Sequence, residues 1–377
     1  MSITSNFHPT YATVDLAALA HNLSQLRRIL SPSCDIMPVV KANAYGHGVI
    51  QTARTLIQHG VNRLAVFSTT EGGVLRQAGV TIPIVILGPV FPQQLDDLFI
   101  YRLTPVVSDC LTLEAIARRA VSQATPYPIH LKVETGMGRL GLTERELTSV
   151  INSQKFPSSL QLEGLMSHLA DSDGQDLVAT EEQIRRFHRA IKVVVAGGFH
   201  VPLIHLANSG GVIRVPSSHF TLVRPGIMLY GYHTLSSAVP APDLQPVLSL
   251  KTHIAQLRTI QPGGTVSYNQ TFTAQRLARI AILPIGYADG LSRRLSNRGQ
   301  VLIRGQRVPI VGLVCMDMVM VDVTRIPGTT VGDEAVLIGQ QGNERITAGD
   351  MAEWAETISY EVLCAISPKI PRLYHPS

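Results

Sequence analysis

Over roughly its first 230 residues the chain alternates between two hydrophobic periods. Short β-rich apolar runs near 36–41, 63–67, 83–87, 104–107, 128–133, 161–167, 203–207 and 221–224 read as strands. Between them lie stretches with helical spacing, such as Glu181-Glu-Gln-Ile-Arg-Arg-Phe-His-Arg-Ala-Ile. Near the start, Asp15 precedes Leu-Ala-Ala-Leu-Ala-His-Asn-Leu and is placed to cap an amphipathic helix. Such alternation gives parallel strands joined by helical crossovers, and eight units suggest a closed (β/α)8, TIM-like barrel. A doubly wound open sheet is the competitor. It needs a glycine-rich dinucleotide loop after its first strand, and no G-x-G-x-x-G follows one here.

From about Thr234 to Pro246 the sequence turns into Ser-Ser-Ala-Val-Pro-Ala-Pro-Asp, a linker by composition. Beyond it the texture changes. Segments such as Leu248-Ser-Leu-Lys-Thr-His-Ile, Ala278-Arg-Ile-Ala-Ile-Leu and Gln300-Val-Leu-Ile-Arg-Gly are short, β-rich and punctuated by glycine or proline. The expected fold class is therefore α/β: a barrel over 1–234 followed by a mostly β C-terminal domain over 235–377.

Composition narrows the function. At 377 residues the chain exceeds the size at which one core usually stops growing, and 45% hydrophobic with 16% charged residues suits a soluble globular protein. Its 32 Lys+Arg against 27 Asp+Glu leave only +5, and the basic residues come in pairs such as Arg27-Arg28 and Arg118-Arg119, so no nucleic-acid footprint is present. Cys34, Cys110, Cys315 and Cys364 stand far apart without C-x-x-C spacing, which argues against a zinc site or a disulfide framework and suits reduced thiols in the cytoplasm. The first ten residues lack a basic stretch followed by an apolar one, and no run approaches eighteen uninterrupted apolar residues. Neither secretion nor membrane insertion is expected, and no metal is.

In a (β/α)8 barrel the active site lies at the C-terminal ends of the strands, which makes the polar residues there candidates as a set. Met37-Pro-Val-Val-Lys-Ala-Asn-Ala-Tyr-Gly-His-Gly ends an apolar run on Lys41. An ε-amine desolvated there would have a lowered pKa and could attack an aldehyde; the plainer reading is a rim lysine whose head reaches water. His168 ends Leu162-Glu-Gly-Leu-Met-Ser-His, either stacked on a planar ring or hydrogen-bonded in the core. Asn208-Ser209-Gly-Gly follows the seventh strand and Arg224-Pro-Gly226-Ile227 the eighth, the pair of loops that often holds a phosphate in barrels, although each alone is an ordinary turn. Lys132-Val-Glu-Thr-Gly-Met-Gly-Arg139 sets two cations near one carboxylate, with a solvated ion cluster as the alternative. In the second domain Val-Ser-Tyr268 and Val-Cys-Met316-Asp317 place a tyrosine and an aspartate beside turns, each weak evidence by itself.

Taken together and in this order, these segments resemble the alanine racemase family, fold-type III enzymes that use pyridoxal phosphate, along nearly the whole chain. Val-Val-Lys-Ala-Asn-Ala-Tyr-Gly-His-Gly matches that family's cofactor-lysine signature without a departure. The resemblance implies that Lys41 binds the cofactor aldehyde and that Tyr45 reaches its phosphate. It also implies His168 under the ring, Asn208, Ser209, Gly226 and Ile227 on the phosphate, and Arg224 at the pyridine nitrogen. Tyr360, in Ser-Tyr-Glu-Val-Leu-Cys, matches a tyrosine that contacts the phosphate and narrows the substrate pocket. Tyr268 resembles the second catalytic base, which in this family enters from the partner subunit with Met316 and Asp317; a homodimer with shared active sites follows. Arg139 resembles a substrate-side arginine, and Lys132 aligns with a lysine that is often carbamylated. The departures are Glu134 for aspartate, Asn269 for glycine, Leu313 for a polar or basic residue and Lys369 for arginine.

The implied reaction is two-base interconversion of L- and D-alanine, supplying D-alanine for peptidoglycan, with Lys41 and Tyr268 on opposite faces of Cα. Tyr360 favours a small side chain. The alternatives are a serine or broad-specificity racemase of the same family, a non-catalytic cofactor-binding protein, a decarboxylase on the same barrel, and a cofactor-free aldolase using Lys41.

Overall fold

A computed structural model describes residues 8–152, 156–235, 240 and 242–376. Of the predicted linker 234–246, residues 236–239 and 241 lie outside the described residues, as do residues 1–7 at the N-terminus. By packing, the chain divides into two compact units. One runs over 19–44 and 49–244; the other gathers the residues up to Ala18, the short stretch Tyr45–Gly48 and everything from Gln245 on. The sequence alone had suggested a single break at 234/235.

The first unit is the barrel. Its strands are β2 (Asp35–Ile36), β3 (Leu64–Val66), β4 (Ile84–Ile86), β5 (Thr104–Val107), β6 (Tyr127–Lys132), β7 (Leu160–Met166), β8 (Leu203–His205) and β9 (Leu222–Val223), one for each predicted run; β1 (Tyr11–Asp15) belongs to the other unit. The six strands β3 to β8 form one parallel sheet in sequence order. Main-chain bonds carry the ring round: Thr221 N donates to Ile204 O and Arg224 N to Ala207 O, β9 pairs with β2, and Val40 N donates to Ala65 O. Every residue of β3, β4 and β5 is buried, as expected for strands covered on both faces. Helices cross between them and are capped locally: Ser68 and Glu71 form a capping box on Thr69–Gln77, and Asp109 caps Cys110–Ala120.

The second unit is mostly β. Here β1 (Tyr11–Asp15) lies between β10 (Leu248–His253), antiparallel, and β20 (Arg372–His375), parallel. The sheet continues from β10 through β18 (Glu334–Gln341) and β15 (Gln300–Ile303) to β16 (Gln306–Pro309), with β19 (Glu344–Ile346) beside β18. A second sheet joins β11 (Gln256–Ile260), β14 (Ala278–Leu283) and β17 (Val319–Asp322), and β12 (Thr265–Val266) pairs with β13 (Phe272–Thr273). Asp15, at the end of β1, accepts the Ala18 N–H at 2.9 Å and so caps the following helix as its sequence predicts. Among the described residues no helix is long and apolar enough to cross a membrane, and no cluster of His, Cys, Asp and Glu is placed to hold a metal. None of the four cysteines forms a disulfide.

Candidate active site

Lys41 stands where the chain leaves the barrel wall. The predicted strand 36–41 is cut short: after β2 only Val39 bridges Ala65, and the backbone then enters a left-handed turn. Ala42, Asn43, Ala44 and Tyr45 have φ of 52°, 53°, 55° and 52°. Four consecutive non-glycine residues in this region cost about 1–2 kcal/mol each, so the surroundings must hold them. Ala42 N donates to Glu71 Oε1 (2.7 Å), Ala44 N to Val40 O (2.9 Å) and Val49 N to Asn43 Oδ1 (2.8 Å). The other Glu71 oxygen accepts the N–H groups of Phe67 and Ser68, so one carboxylate ties the Lys41 turn to the end of β3. Strain held this firmly is characteristic of functional sites.

Lys41 itself is half-buried. Lys132, at the end of β6, is 6% exposed, and its ammonium is pushed down to about 8 by burial, then by Arg224 and Arg139, with Lys41 adding to them against the opposing pull of Glu134. Glu134 serves the loop instead: its carboxylate accepts the N–H groups of Gly136 and Arg139. Arg224 is 3% exposed, and burial pushes its guanidinium down to about 9. Its Nη1 donates to His205 Nδ1 (2.9 Å), and Nη2 is shared among Ser167 O (2.7 Å), Leu206 O (3.1 Å) and His168 Nδ1 (3.2 Å). Among the described residues no carboxylate lies within ion-pair distance of it. A guanidinium only donates, so His168 Nδ1 is an acceptor and the ring's single proton sits on Nε2. Burial and then the charges of Arg224, Lys132, Arg139 and Lys41 hold His168 neutral, well below the ordinary histidine range.

The two loops expected to hold phosphate meet. Ser209 Oγ accepts the Gly226 N–H at 3.0 Å, and Asn208 Oδ1 accepts the Gly211 N–H and caps the short helix Ser209–Arg214. Ile227, fully buried, begins the next turn. The barrel thus brings Lys41, Lys132, Arg139, His168 and Arg224 into one electrostatic cluster, and Asn208 and Ser209 to Gly226.

The second unit carries the remaining candidates. Tyr45 and Tyr360 lie with ring centroids 5.9 Å apart, and burial, then Tyr360 and Cys364, raise the Tyr45 phenol above its usual range. Gly46, at φ 82°, is fixed by space as well: a Cβ there would lie 2.2 Å from Leu363 O. Arg372 donates to Gly46 O and to the carbonyls of Ile366, Ser367 and Ile370, joining this turn to the end of the helix that carries Tyr360. Tyr268 is 68% exposed on a tight turn between Ser267 (φ 70°) and Asn269 (φ 57°), with Met316 (54%) and Met318 (50%) also exposed. Ser267 Oγ donates to Leu313 O, so the residue at 313 contributes backbone here. Lys369 pairs with Asp289 at 2.9 Å and also feels Asp317.

Residues 14–234 match the family described as alanine racemase, N-terminal domain, and residues 247–374 match its C-terminal domain. The chain belongs to the alanine racemase family. It is 45% identical to the alanine racemase of Halothermothrix orenii over 97% of each chain. It is 43% identical to that of Carboxydothermus hydrogenoformans over 97% of this chain and 99% of the relative. Among solved structures, alanine racemase from Clostridium difficile 630 superimposes with a TM-score of 0.93 at 33% identity, over 98% of this chain and 97% of the other. The Bartonella henselae alanine racemase, solved with covalently bound pyridoxal phosphate, gives 0.88 at 29%, over 98% and 100%. The family uses pyridoxal phosphate, and the barrel's donor set fits it: a buried guanidinium without a carboxylate partner, a neutral His168, and backbone amides and hydroxyls where the Asn208 and Gly226 loops meet.

Sequence reasoning did not single out His130, Glu163, His205, Glu71 or Arg372. The first three left a faint signal, a polar residue inside an otherwise apolar strand; the roles of the last two depend on contacts that no motif encodes.

Proposed function

We propose that this chain racemises alanine, interconverting its L- and D-enantiomers with pyridoxal phosphate and supplying D-alanine for peptidoglycan in the cytoplasm. The observation that carries this is likeness to alanine racemases over 97% of the chain, both units included. Lys41 would anchor the cofactor, with Tyr45, Asn208, Ser209, Gly226, Ile227 and Tyr360 around its phosphate, His168 against its ring and Arg224 at its pyridine nitrogen. When bound, pyridoxal phosphate supplies an electron sink for the charge left at Cα when its proton departs.

Racemisation needs that proton removed from one face and returned on the other, and two opposed bases do this better than one. Lys41 Nζ would hold or return the proton on one face and Tyr268 Oη on the other. A phenol with an ordinary pKa of about 10 is a poor base at neutral pH, so Tyr268 needs a cation beside it, which we assign to Arg139. Arg224, still a cation and purely a donor at neutral pH, would leave the ring nitrogen unprotonated and the sink weak, which disfavours side reactions. A Lys132 amine lowered to about 8 has an appreciable neutral fraction near pH 7.5 and can add CO2 with loss of one proton, giving a carbamate to orient Arg139. Tyr268, exposed as are Met316 and Asp317, would enter the site of a partner subunit in a homodimer with shared sites.

The test is to incubate the cofactor-loaded protein separately with L-alanine and L-serine and follow the D-enantiomers by chiral chromatography. D-alanine is expected to form much faster than D-serine, since Tyr360 narrows the pocket. Cofactor-loaded protein that yields no D-alanine would contradict the assignment.

A further inference from the structure

Three side chains behind Arg224 have no part in the reaction described so far. His205 and His130 are fully buried on β8 and β6, the two strands that pair with β7, and β7 carries Glu163. His205 Nε2 is 2.9 Å from His130 Nδ1, and His130 Nε2 is 3.3 Å from Glu163 Oε2. Together with Arg224 Nη1 on His205 Nδ1 these contacts form a single line.

The line has only one direction. Arg224 can only donate, so His205 Nδ1 accepts and the proton of that neutral ring is on Nε2. His205 Nε2 then donates to His130 Nδ1, which places the His130 proton on Nε2, facing the carboxylate. A second proton on either ring would set one N–H against another. Burial first, and for His205 then Arg224, lowers both imidazoles, with Arg63 acting in the same sense; Glu163 opposes this at His130. Each contact in the line therefore holds one proton, and the line ends on the negative charge that Arg224 lacks at first hand.

The strands are shaped to make this line. The pairing of β6 with β7 shifts between Ile129 and His130: Ile129 faces Leu162 and His130 faces Gly164, so Glu163 is the extra residue of a bulge. Bulges re-aim side chains, and this one delivers a carboxylate to the edge of the His130 ring. Gly164 makes room for that ring, since a Cβ there would lie 2.4 Å from His130 Cγ and 2.5 Å from Nδ1.

We propose that Glu163 and His130 are positioning residues for Arg224, acting through His205 as one directed line of hydrogen bonds that fixes the guanidinium for the cofactor. Committing Nη1 to His205 and Nη2 to Ser167, Leu206 and His168 leaves one N–H on Nη1 and that of Nε for the pyridine nitrogen. Polarisation along the line strengthens each bond in it. The role in catalysis rests on Arg224 being the partner of that nitrogen; the direction of the line does not.

The test uses the cofactor-loaded protein labelled with 15N-histidine, with His130→Asn and His205→Asn to assign the signals. Both rings are expected as neutral Nε2–H tautomers across neutral pH. An Nδ1–H tautomer or an imidazolium at either ring overturns the line, whether or not D-alanine is formed. Glu163→Leu, which removes the terminal acceptor, is expected to lower kcat by roughly tenfold, the scale of one charge-assisted hydrogen bond, with KM for alanine little changed. It should also displace the visible absorption band of the bound cofactor. Glu163→Gln keeps an acceptor and loses the charge; it should restore part of kcat, and it serves if Glu163→Leu does not fold, a smaller displacement of the same band then being expected. An unchanged band and kcat in these variants overturn the positioning role.

Discussion

At Asn269 the backbone has φ 57°, at the position after Tyr268 that the family resemblance marks as a departure from glycine. Asparagine tolerates the left-handed region by bonding locally, which accounts for the substitution without disturbing the turn. Asn269→Gly should leave stability within a few tenths of a kcal/mol, whereas Asn269→Val should cost about 1–2 kcal/mol by chemical denaturation and lower the rate by loosening the Tyr268 turn. Lys132 gives a pH signature. Its folded-state pKa, about 8, lies below the ordinary 10.5, so the unfolded chain binds the proton more readily. The penalty is complete below pH 8 and fades as pH rises toward 10.5. In CO2-free buffer Lys132→Met should therefore be more stable than the parent at pH 7, and the gap measured by denaturant melts should close near pH 10; a gap that stays constant with pH contradicts the assignment. Lys41, His168 and Arg224, which the structure sets in one electrostatic cluster, stood out as candidates because each ends an apolar run or opens a turn. His130 and His205 did not, because each is defined by partners 19 to 75 residues away.

The element that most departs from its sequence pattern is the segment at Lys41. Its apolar run predicts a strand through 41, yet the ladder is spent by Val39 and the chain coils left-handed. Periodicity carries no sign of φ, and neither Ala42 nor Ala44 advertises this conformation, so only the environment explains it. Glu71 is the main support, with three backbone N–H groups on its two oxygens. Glu71→Ala should destabilise the protein by about 2–3 kcal/mol and reduce kcat, and Glu71→Gln should recover part of both, as followed by thermal melts and steady-state rates. The bulge at Glu163 was hidden for a related reason: the run 161–167 reads as a plain strand, and a one-residue register shift shows only once its neighbour is placed.

For the whole molecule, all eight barrel strands were legible, because parallel strands buried on both faces write themselves as continuous apolar runs. The place of β1 was not. Its partners, β10 and β20, lie more than 200 residues further along the chain, and local pattern cannot name a partner at that distance. The exposed Tyr268, Met316 and Met318 raise the matching question of what covers them, and a second copy of the chain is the answer proposed above. The most direct measurement pairs two inactive chains. Lys41→Ala and Tyr268→Phe, co-expressed with different tags and purified through both, form a mixed dimer in which one site has lost both bases and the other keeps both. That dimer should produce D-alanine from L-alanine at about half the parental rate, while either variant alone is inactive. A mixed dimer no more active than the separate variants would contradict an alanine site built from Lys41 of one subunit and Tyr268 of the other.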